Sequence, residues 1–151
     1  MISGNAISNL KGSYAIAAGE VGELIESRIT SAANYPATGV RGDATSIDLT
    51  PGQWDLSSFI YASKNGATIA ANASFELAIS TTSGNSTSGL ILGVNWNASK
   101  MPSTSITELS FGIGPYSVTI DSTTTYYMKV RAVYTAGQPV YLGTIRARRV
   151  K

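Results

Sequence analysis

The chain has 151 residues, of which 43% are hydrophobic and 13% charged, and its formal net charge is +2. This length suits a single domain, and the low charged fraction is typical of β proteins whose surfaces are rich in hydroxyl and amide groups. Because the sequence contains no cysteine and no histidine, it excludes disulfides, cysteine or histidine nucleophile systems and histidine-ligated zinc.

Residues 1–18 are expected to form an extended arm, and residues 19–151 the folded domain. Small apolar residues in the arm are separated by Gly4 and Gly12 and lack helical spacing. Neither a secretory signal nor an apolar run long enough to span a membrane is found, so we expect synthesis in the cytoplasm without export. An arm of this kind docks on a neighbouring molecule, and the residues expected to make the contact are Ile2, Ile7, Leu10, Tyr14 and Ile16.

Residues 22–30 are interpreted as a strand, although Glu23, Leu24 and Glu26 also favour a helical turn. Residues 31–43 are predicted to be a loop because they contain Asn, Pro and Gly.

The stretch 44–63 organises the rest of the domain. Apolar residues alternate with polar ones on both sides of Pro51-Gly52, and this dipeptide favours a tight turn. We therefore predict two strands joined by a tight turn. The core and turn residues of this motif are Ile47, Leu49, Pro51, Gly52, Trp54 and Leu56.

Further strands are predicted downstream, separated by turns or loops at 64–66, 81–89, 97–104 and 136–139. The predicted strands cover residues 75–79, 90–96, 106–111, 116–120, 123–135 and 140–150. Eight or nine short strands without a convincing helix predict an all-β protein, an antiparallel β-sandwich or barrel.

The charges are unevenly distributed along the chain. Six acidic residues lie between positions 20 and 55, whereas positions 129–151 carry six basic residues and no acidic one. Nucleic-acid binding is one explanation. Because the basic residues alternate with apolar ones, we favour N- and C-terminal strands that lie side by side, or meet between subunits, and pair opposite charges.

Few residues offer catalytic or metal-binding chemistry. Asp48 and Asp55 flank the turn and are candidates for a paired-carboxylate site, although hydrogen bonding near the turn is the preferred role. Asp43 together with Glu20, Glu23 or Glu26 is a candidate calcium site, although these residues lack EF-hand spacing. We therefore expect no enzymatic activity and no cofactor.

Tyrosines and arginines alternate in the last two strands, a pattern that also occurs in nucleic-acid stacking platforms. Tyrosine in a long antiparallel strand more often lies at the rim of a core or at a subunit interface. The residues predicted to form a subunit interface are Tyr126, Tyr134, Tyr141, Arg146 and Arg148.

Residues 45–57, TSIDLTPGQWDLS, resemble the TSI-L-PG-WD-S signature of small β-rich virion proteins of tailed bacteriophages and prophages. ISTTSGNSTSGL at 79–90 and the ending STTTYYMKVRAVYT…YLGTIRARRVK at 122–151 support the resemblance, which covers residues 19–151. It implies a jelly-roll sandwich, often homotrimeric.

This resemblance leaves two virion locations open. Because the domain fills most of the chain, we expect a decoration or cement protein on the capsid surface, whose arm docks on the major capsid protein. The alternative is a small tail-fibre or tail-tip protein in which loops 83–89 and 95–103 contact a host glycan or surface protein. Neither nucleic acid nor a membrane is expected as a partner.

Overall fold

The computed structural model describes residues 16–69, 74–86, 88–92 and 107–151. These residues contain no helix, and hence none that could cross a lipid bilayer. The all-β prediction is therefore confirmed for the described part of the chain. The strands are β1 (Leu24–Asn34), β2 (Gly42–Leu49), β3 (Gly52–Ser63), β4 (Phe75–Ser80), β5 (Leu90–Leu92), β6 (Glu108–Ile120), β7 (Thr124–Ala132) and β8 (Val140–Arg149).

The strands form two antiparallel four-stranded sheets. Sheet A has the order β1-β8-β3-β6, and sheet B has the order β2-β7-β4-β5. Most consecutive strands lie in different sheets, so the chain repeatedly crosses from one layer to the other. This is the strand order of an eight-stranded jelly roll, and it confirms the predicted β-sandwich.

The core lies between the sheets and is built from alternate residues of each strand, as the two-residue side-chain period of a strand requires. In β3, the side chains of Trp54, Leu56, Ser58 and Ile60 are buried, whereas those of Asp55, Ser57 and Phe59 are not. The motif residues Ile47, Leu49, Trp54 and Leu56 belong to this core, as predicted. Other fully buried core residues are Tyr35, Phe75, Leu77, Ile79, Met128, Val130 and Ile145.

The Pro51-Gly52 turn joins strands of opposite sheets. β2 pairs with β7 in sheet B, whereas β3 pairs with β6 and β8 in sheet A. The turn therefore closes one end of the sandwich and does not form a hairpin.

Two elements, β1 and β6, differ from prediction. β1 continues to Asn34, across a register shift after Ile29, so the predicted loop 31–43 begins later. β5 ends at Leu92, and the residues from 93 to 106, including the predicted loop 97–104, lie outside the described residues. The two strands predicted at 106–111 and 116–120 are one strand, β6. Its alternation is interrupted where Gly114 and Pro115 form a bulge opposite β3.

The first and last strands are neighbours in sheet A. Leu24 lies opposite Arg148 and Glu26 lies opposite Arg146, and Glu23 forms an ion pair with Arg149. This confirms the prediction that the terminal strands lie side by side and pair opposite charges.

Candidate interaction surface

One of the chain's own loops lies against part of the outer face of sheet B. Lys129 of β7 extends on this face, yet its side chain is only 1% exposed because the ammonium group binds the Asp43 carboxylate and the Gly84 carbonyl oxygen, the latter at 2.7 Å. The Ser83 hydroxyl and the Gly84 N–H also donate to Asp43, at 2.6 and 2.8 Å. The predicted surface loop is present, and these bonds fasten it to the sheet.

The charges around this loop are paired with one another. Burial opposes ionisation of Asp43, but the hydrogen bonds from Lys129, Ser83 and Gly84 outweigh burial, so the pKa of Asp43 lies below its ordinary value of 3.8. Nearby, the Glu76 carboxylate forms ion pairs with Arg41 and Arg131. Sheet B therefore presents a closed outer face in which these carboxylates already have cationic partners.

The outer face of sheet A is different, because its arginines are exposed. None of the five ion pairs among the described residues includes Arg146 or Arg148. Both side chains belong to β8 and are exposed, whereas Ala147 and Arg149 between and beyond them are buried. Cross-strand register places Leu24, Arg148, Asp55 and Ser117 in one row, and Glu26, Arg146 and Ser57 in the next.

An open groove crosses this face. One part has a volume of about 660 Å³ and the adjoining part about 490 Å³, and both are lined by Ser57, Pro115 and Arg146. The groove exists because β6 has small residues beside β3. At Gly114, φ is +98° and a Cβ atom would lie 2.5 Å from the Leu56 carbonyl oxygen, so the position requires glycine.

Polar groups of the groove are only partly satisfied within the chain. Arg146 Nε donates to Ser57 Oγ at 3.0 Å, which engages one of the five N–H donors of the guanidinium. The Asp55 carboxylate accepts a hydrogen bond from the Ser117 hydroxyl on the neighbouring strand. Arg146 and Arg148 therefore remain able to bind an anionic group that enters the groove.

Apolar side chains lie at both ends of the groove. Ile16 and Leu24, which are 45% and 59% exposed, line the end beside Arg148. Phe59, which is 47% exposed, lines the adjoining part together with Thr144. Exposed apolar surface next to unpaired charge is typical of an interaction site.

Of the residues predicted to dock, only Ile16 can be located. It lines the groove, whereas Ile2, Ile7, Leu10 and Tyr14 lie outside the described residues.

The predicted subunit interface divides into two groups. Tyr126 and Tyr141 are 5% and 6% exposed and lie in the core of a single subunit, so their assignment to an interface is corrected. Their strand positions have the inward parity, and the opposite sheet covers both rings. Tyr134 is half-buried and its hydroxyl donates to the Pro36 carbonyl oxygen at 2.9 Å. Arg146 and Arg148 are the exposed members of the set.

The candidate carboxylate pair does not form a site. Asp48 lies on the outer face of sheet B and accepts from Thr125 at 2.6 Å, whereas Asp55 lies on the outer face of sheet A. The two carboxylates therefore face away from each other across the sandwich. The candidate calcium ligands are also separated, and the described residues contain no cluster of three or more potential metal ligands.

Two features of this surface were not identified from the sequence. The groove depends on Gly112 and Gly114 lying beside β3, and the only signal was the interrupted alternation around them. Arg149 was not assigned a role, although it is buried and stacks over Trp54 at 4.3 Å.

Comparisons with known proteins concern the fold. No family model and no curated protein sequence matches the chain. The structure is similar to a chain in the structure of infectious bursal disease virus, Gx strain, with a TM-score of 0.51 and 9% sequence identity. The match covers 87% of this chain and 33% of that chain, so this chain spans about one third of its structural neighbour. At this identity the likeness shows a shared sandwich fold with part of a protein from a virus.

Proposed function

We propose that this protein is a structural component of a tailed-bacteriophage particle and decorates the outside of the capsid shell. The observation that carries the proposal is the likeness of the sandwich, over 87% of the chain, to a chain in a virus structure. The resemblance of residues 45–57 to phage virion proteins supports the same class of function.

The docking face in this proposal is the outer face of sheet A together with residues 1–18. The difference between the two outer faces supports this choice, because sheet B has paired charges and a fastened loop, whereas sheet A has a groove and exposed arginines. Ile16 lines that groove, so the expected arm joins the domain at the same face.

The proposed mechanism is physical and involves no chemical reaction. Each copy bridges neighbouring capsid subunits and thereby stabilises the shell against the pressure of the packaged DNA. Many weak contacts act together, since linked binding sites give an avidity that exceeds the affinity of any single contact.

A homotrimer is the assembly that we propose. Closed cyclic symmetry turns the same face of each subunit toward the shell. Light scattering and native mass spectrometry of the purified protein measure the subunit number. If the protein is a monomer at all concentrations tested, the proposed trimer is wrong. This result would not bear on binding to the shell, which imaging and deletion test separately.

Imaging of the intact particle tests the location. We expect density for many copies of the sandwich distributed over the outer shell. Density confined to the tail would instead support the receptor-binding alternative, in which loops 83–89 and 95–103 contact the host. Absence from the particle would overturn both.

Deletion of residues 1–18 tests the arm. The eight strands of the described residues lie within residues 19–151, so we expect the shortened protein to fold and to lose binding to empty shells. Circular dichroism is the folding control. Binding at the affinity of the full chain would overturn the docking function of the arm.

A further inference from the structure

We infer that the groove on sheet A binds an extended acidic segment of a different protein, in which carboxylates at alternate residues pair with Arg146 and Arg148. This inference rests on the proposed function only in taking that protein to be the capsid shell protein. The argument depends on the spacing of the two arginines, the surroundings of the groove and the distribution of acidic residues in the chain itself.

The spacing of the arginines matches an extended peptide. Arg146 and Arg148 lie two residues apart on the same side of β8, a separation of roughly 6.6 Å along the strand. Residues i and i+2 of an extended partner have the same separation and also point to one side. Two such carboxylates can therefore each face one guanidinium group, and arginine binds carboxylate in a bidentate geometry.

The surroundings of Arg148 indicate which residue accompanies the acidic pair in the partner's segment. Leu24 and Asp55 flank Arg148 in the same row, and the Asp55 carboxylate is engaged by the Ser117 hydroxyl. Leu24 is 59% exposed, and an apolar side chain of the partner would remove it from water. We therefore expect an apolar residue two positions from the acidic pair, where it points to the same side as the carboxylates and reaches the end of the groove at β1.

The chain itself does not supply a matching segment. Its nine acidic residues lie at positions 20, 23, 26, 43, 48, 55, 76, 108 and 121, and no two are separated by two positions. Residues 1–15 contain Lys11 and no acidic residue. Neither a single strand of a second copy nor the N-terminal arm therefore complements the arginine pair, and charge complementarity favours a different protein.

An acidic polysaccharide also carries carboxylates, but it fits the groove less well. Ile16 and Leu24 are exposed aliphatic side chains at the end of the groove beside Arg148. A chain that is hydroxylated along its length would place polar groups against them, which is unfavourable where those groups lose hydrogen bonds to water.

Two isomeric synthetic peptides test the inference on the purified full-length protein. The first is Ser-Leu-Ser-Asp-Thr-Asp-Ser and the second is Ser-Leu-Ser-Asp-Asp-Thr-Ser, so composition and charge are identical and only the spacing of the two aspartates differs. We expect the first to bind about tenfold more tightly, a difference of about 1.4 kcal/mol, in a titration followed by nuclear magnetic resonance. Equal binding of the two peptides, or no binding of either, overturns the inference.

Substitutions locate the contact. Replacing both arginines, Arg146→Ala and Arg148→Ala, is expected to weaken binding of the first peptide about tenfold or more. The matched control is Lys151→Ala, which removes an exposed cationic residue outside the groove lining, and it should leave binding unchanged. Urea unfolding of each variant serves as the folding control. Binding that survives the double substitution, or an oligogalacturonate that binds more tightly than the first peptide, overturns the inference.

Failure of this inference is distinguishable from failure of the proposed function. If the protein binds the first peptide but is absent from the capsid shell in images of the particle, only the proposed location is overturned. Shell binding that is unaffected by the double substitution overturns the acidic-segment inference alone.

Discussion

Glu23 and Arg149 are 126 residues apart in the sequence, and a distance of 3.0 Å joins Glu23 Oε2 to Arg149 Nε in a partly buried ion pair. The same guanidinium donates to the Pro51 carbonyl oxygen at 2.7 Å and to Thr50 Oγ1 at 2.5 Å, and it stacks over the Trp54 indole. The first strand, the last strand and the Pro51-Gly52 turn are therefore connected through one side chain.

Replacing Arg149 tests this connection. We expect Arg149→Ala to lower the free energy of unfolding by roughly 3 kcal/mol. The substitution leaves the partly buried Glu23 carboxylate with the Gly19 N–H but without its ion-pair partner, and it removes the cation–π contact with Trp54. The control is Arg148→Ala, which changes the adjacent, exposed arginine and should alter stability by less than about 0.5 kcal/mol. Urea unfolding measures both, and equal losses would show that Arg149 does not hold the turn.

Gly52 is required beside Arg149. Its φ is +146°, and a Cβ atom would overlap the guanidinium and lie 3.0 Å from the Lys151 carbonyl oxygen. We expect Gly52→Ala to cost about 3 kcal/mol or more in urea unfolding, from backbone strain and displacement of Arg149 together. Gly66 also has positive φ, +76°, but nothing lies within 4 Å of its Cβ position. Gly66→Ala should therefore lower the free energy of unfolding by only about 1–2 kcal/mol. Equal losses for the two substitutions would show that a Cβ atom at position 52 does not overlap the Arg149 guanidinium.

The core residues were predictable because strand alternation is a local property. Trp54, Leu56 and Ile60 follow the two-residue period, and that period fixes which side chains share a face. The sheet to which each strand belongs was not predictable. A Pro-Gly turn is compatible with a hairpin or with a crossing between layers, and the crossing places Asp48 and Asp55 on opposite faces.

The candidate surface was predictable only in part. The arginines at 146 and 148 alternate with inward residues, so their exposure follows from the pattern. Tyr141 has the opposite parity in the same strand, so its inward position also follows from the alternation, and its assignment to an interface rested on residue type alone. The groove depends on which residues of β6 lie beside β3, and that register is set by long-range pairing.

The Lys129–Asp43 pair predicts an unequal response to substitution. Lys129 is 1% exposed, whereas the Asp43 side chain is 24% exposed. Asp43→Asn leaves a buried ammonium group without a counter-charge and should cost about 3 kcal/mol in urea unfolding. Lys129→Met leaves a carboxylate that water reaches and should cost about 1 kcal/mol. The opposite order would mean that the carboxylate is the more strongly desolvated partner.

The same pair predicts that the loop at 81–86 loosens in acid. The pKa of Asp43 in the folded protein lies below its ordinary value of 3.8. Its stabilising contribution is therefore fully present above about that pH and is lost as the pH falls through the lower folded pKa. Hydrogen exchange of the Gly84 N–H, which donates to Asp43, should remain protected at pH 5 and lose protection below pH 3.8. Asp43→Asn is the matched control, and we expect its Gly84 N–H to lack protection already at neutral pH. Equal protection of the Gly84 N–H in the variant and in the unchanged protein at neutral pH would contradict the assignment.

Tyr35 has a buried hydroxyl that finds no hydrogen-bond partner among the described residues. Its ring makes edge-to-face contacts with Phe75 and Tyr141, at centroid distances of 5.3 and 4.8 Å, and Tyr35→Phe retains both. We expect this substitution to raise the free energy of unfolding by about 1 kcal/mol, because an unsatisfied buried polar group is removed. Tyr134→Phe is the control, since the Tyr134 hydroxyl donates to Pro36, and it should lower stability by about 1 kcal/mol. A loss of stability for Tyr35→Phe as large as that for Tyr134→Phe would mean that the Tyr35 hydroxyl has a bonding partner in the folded protein.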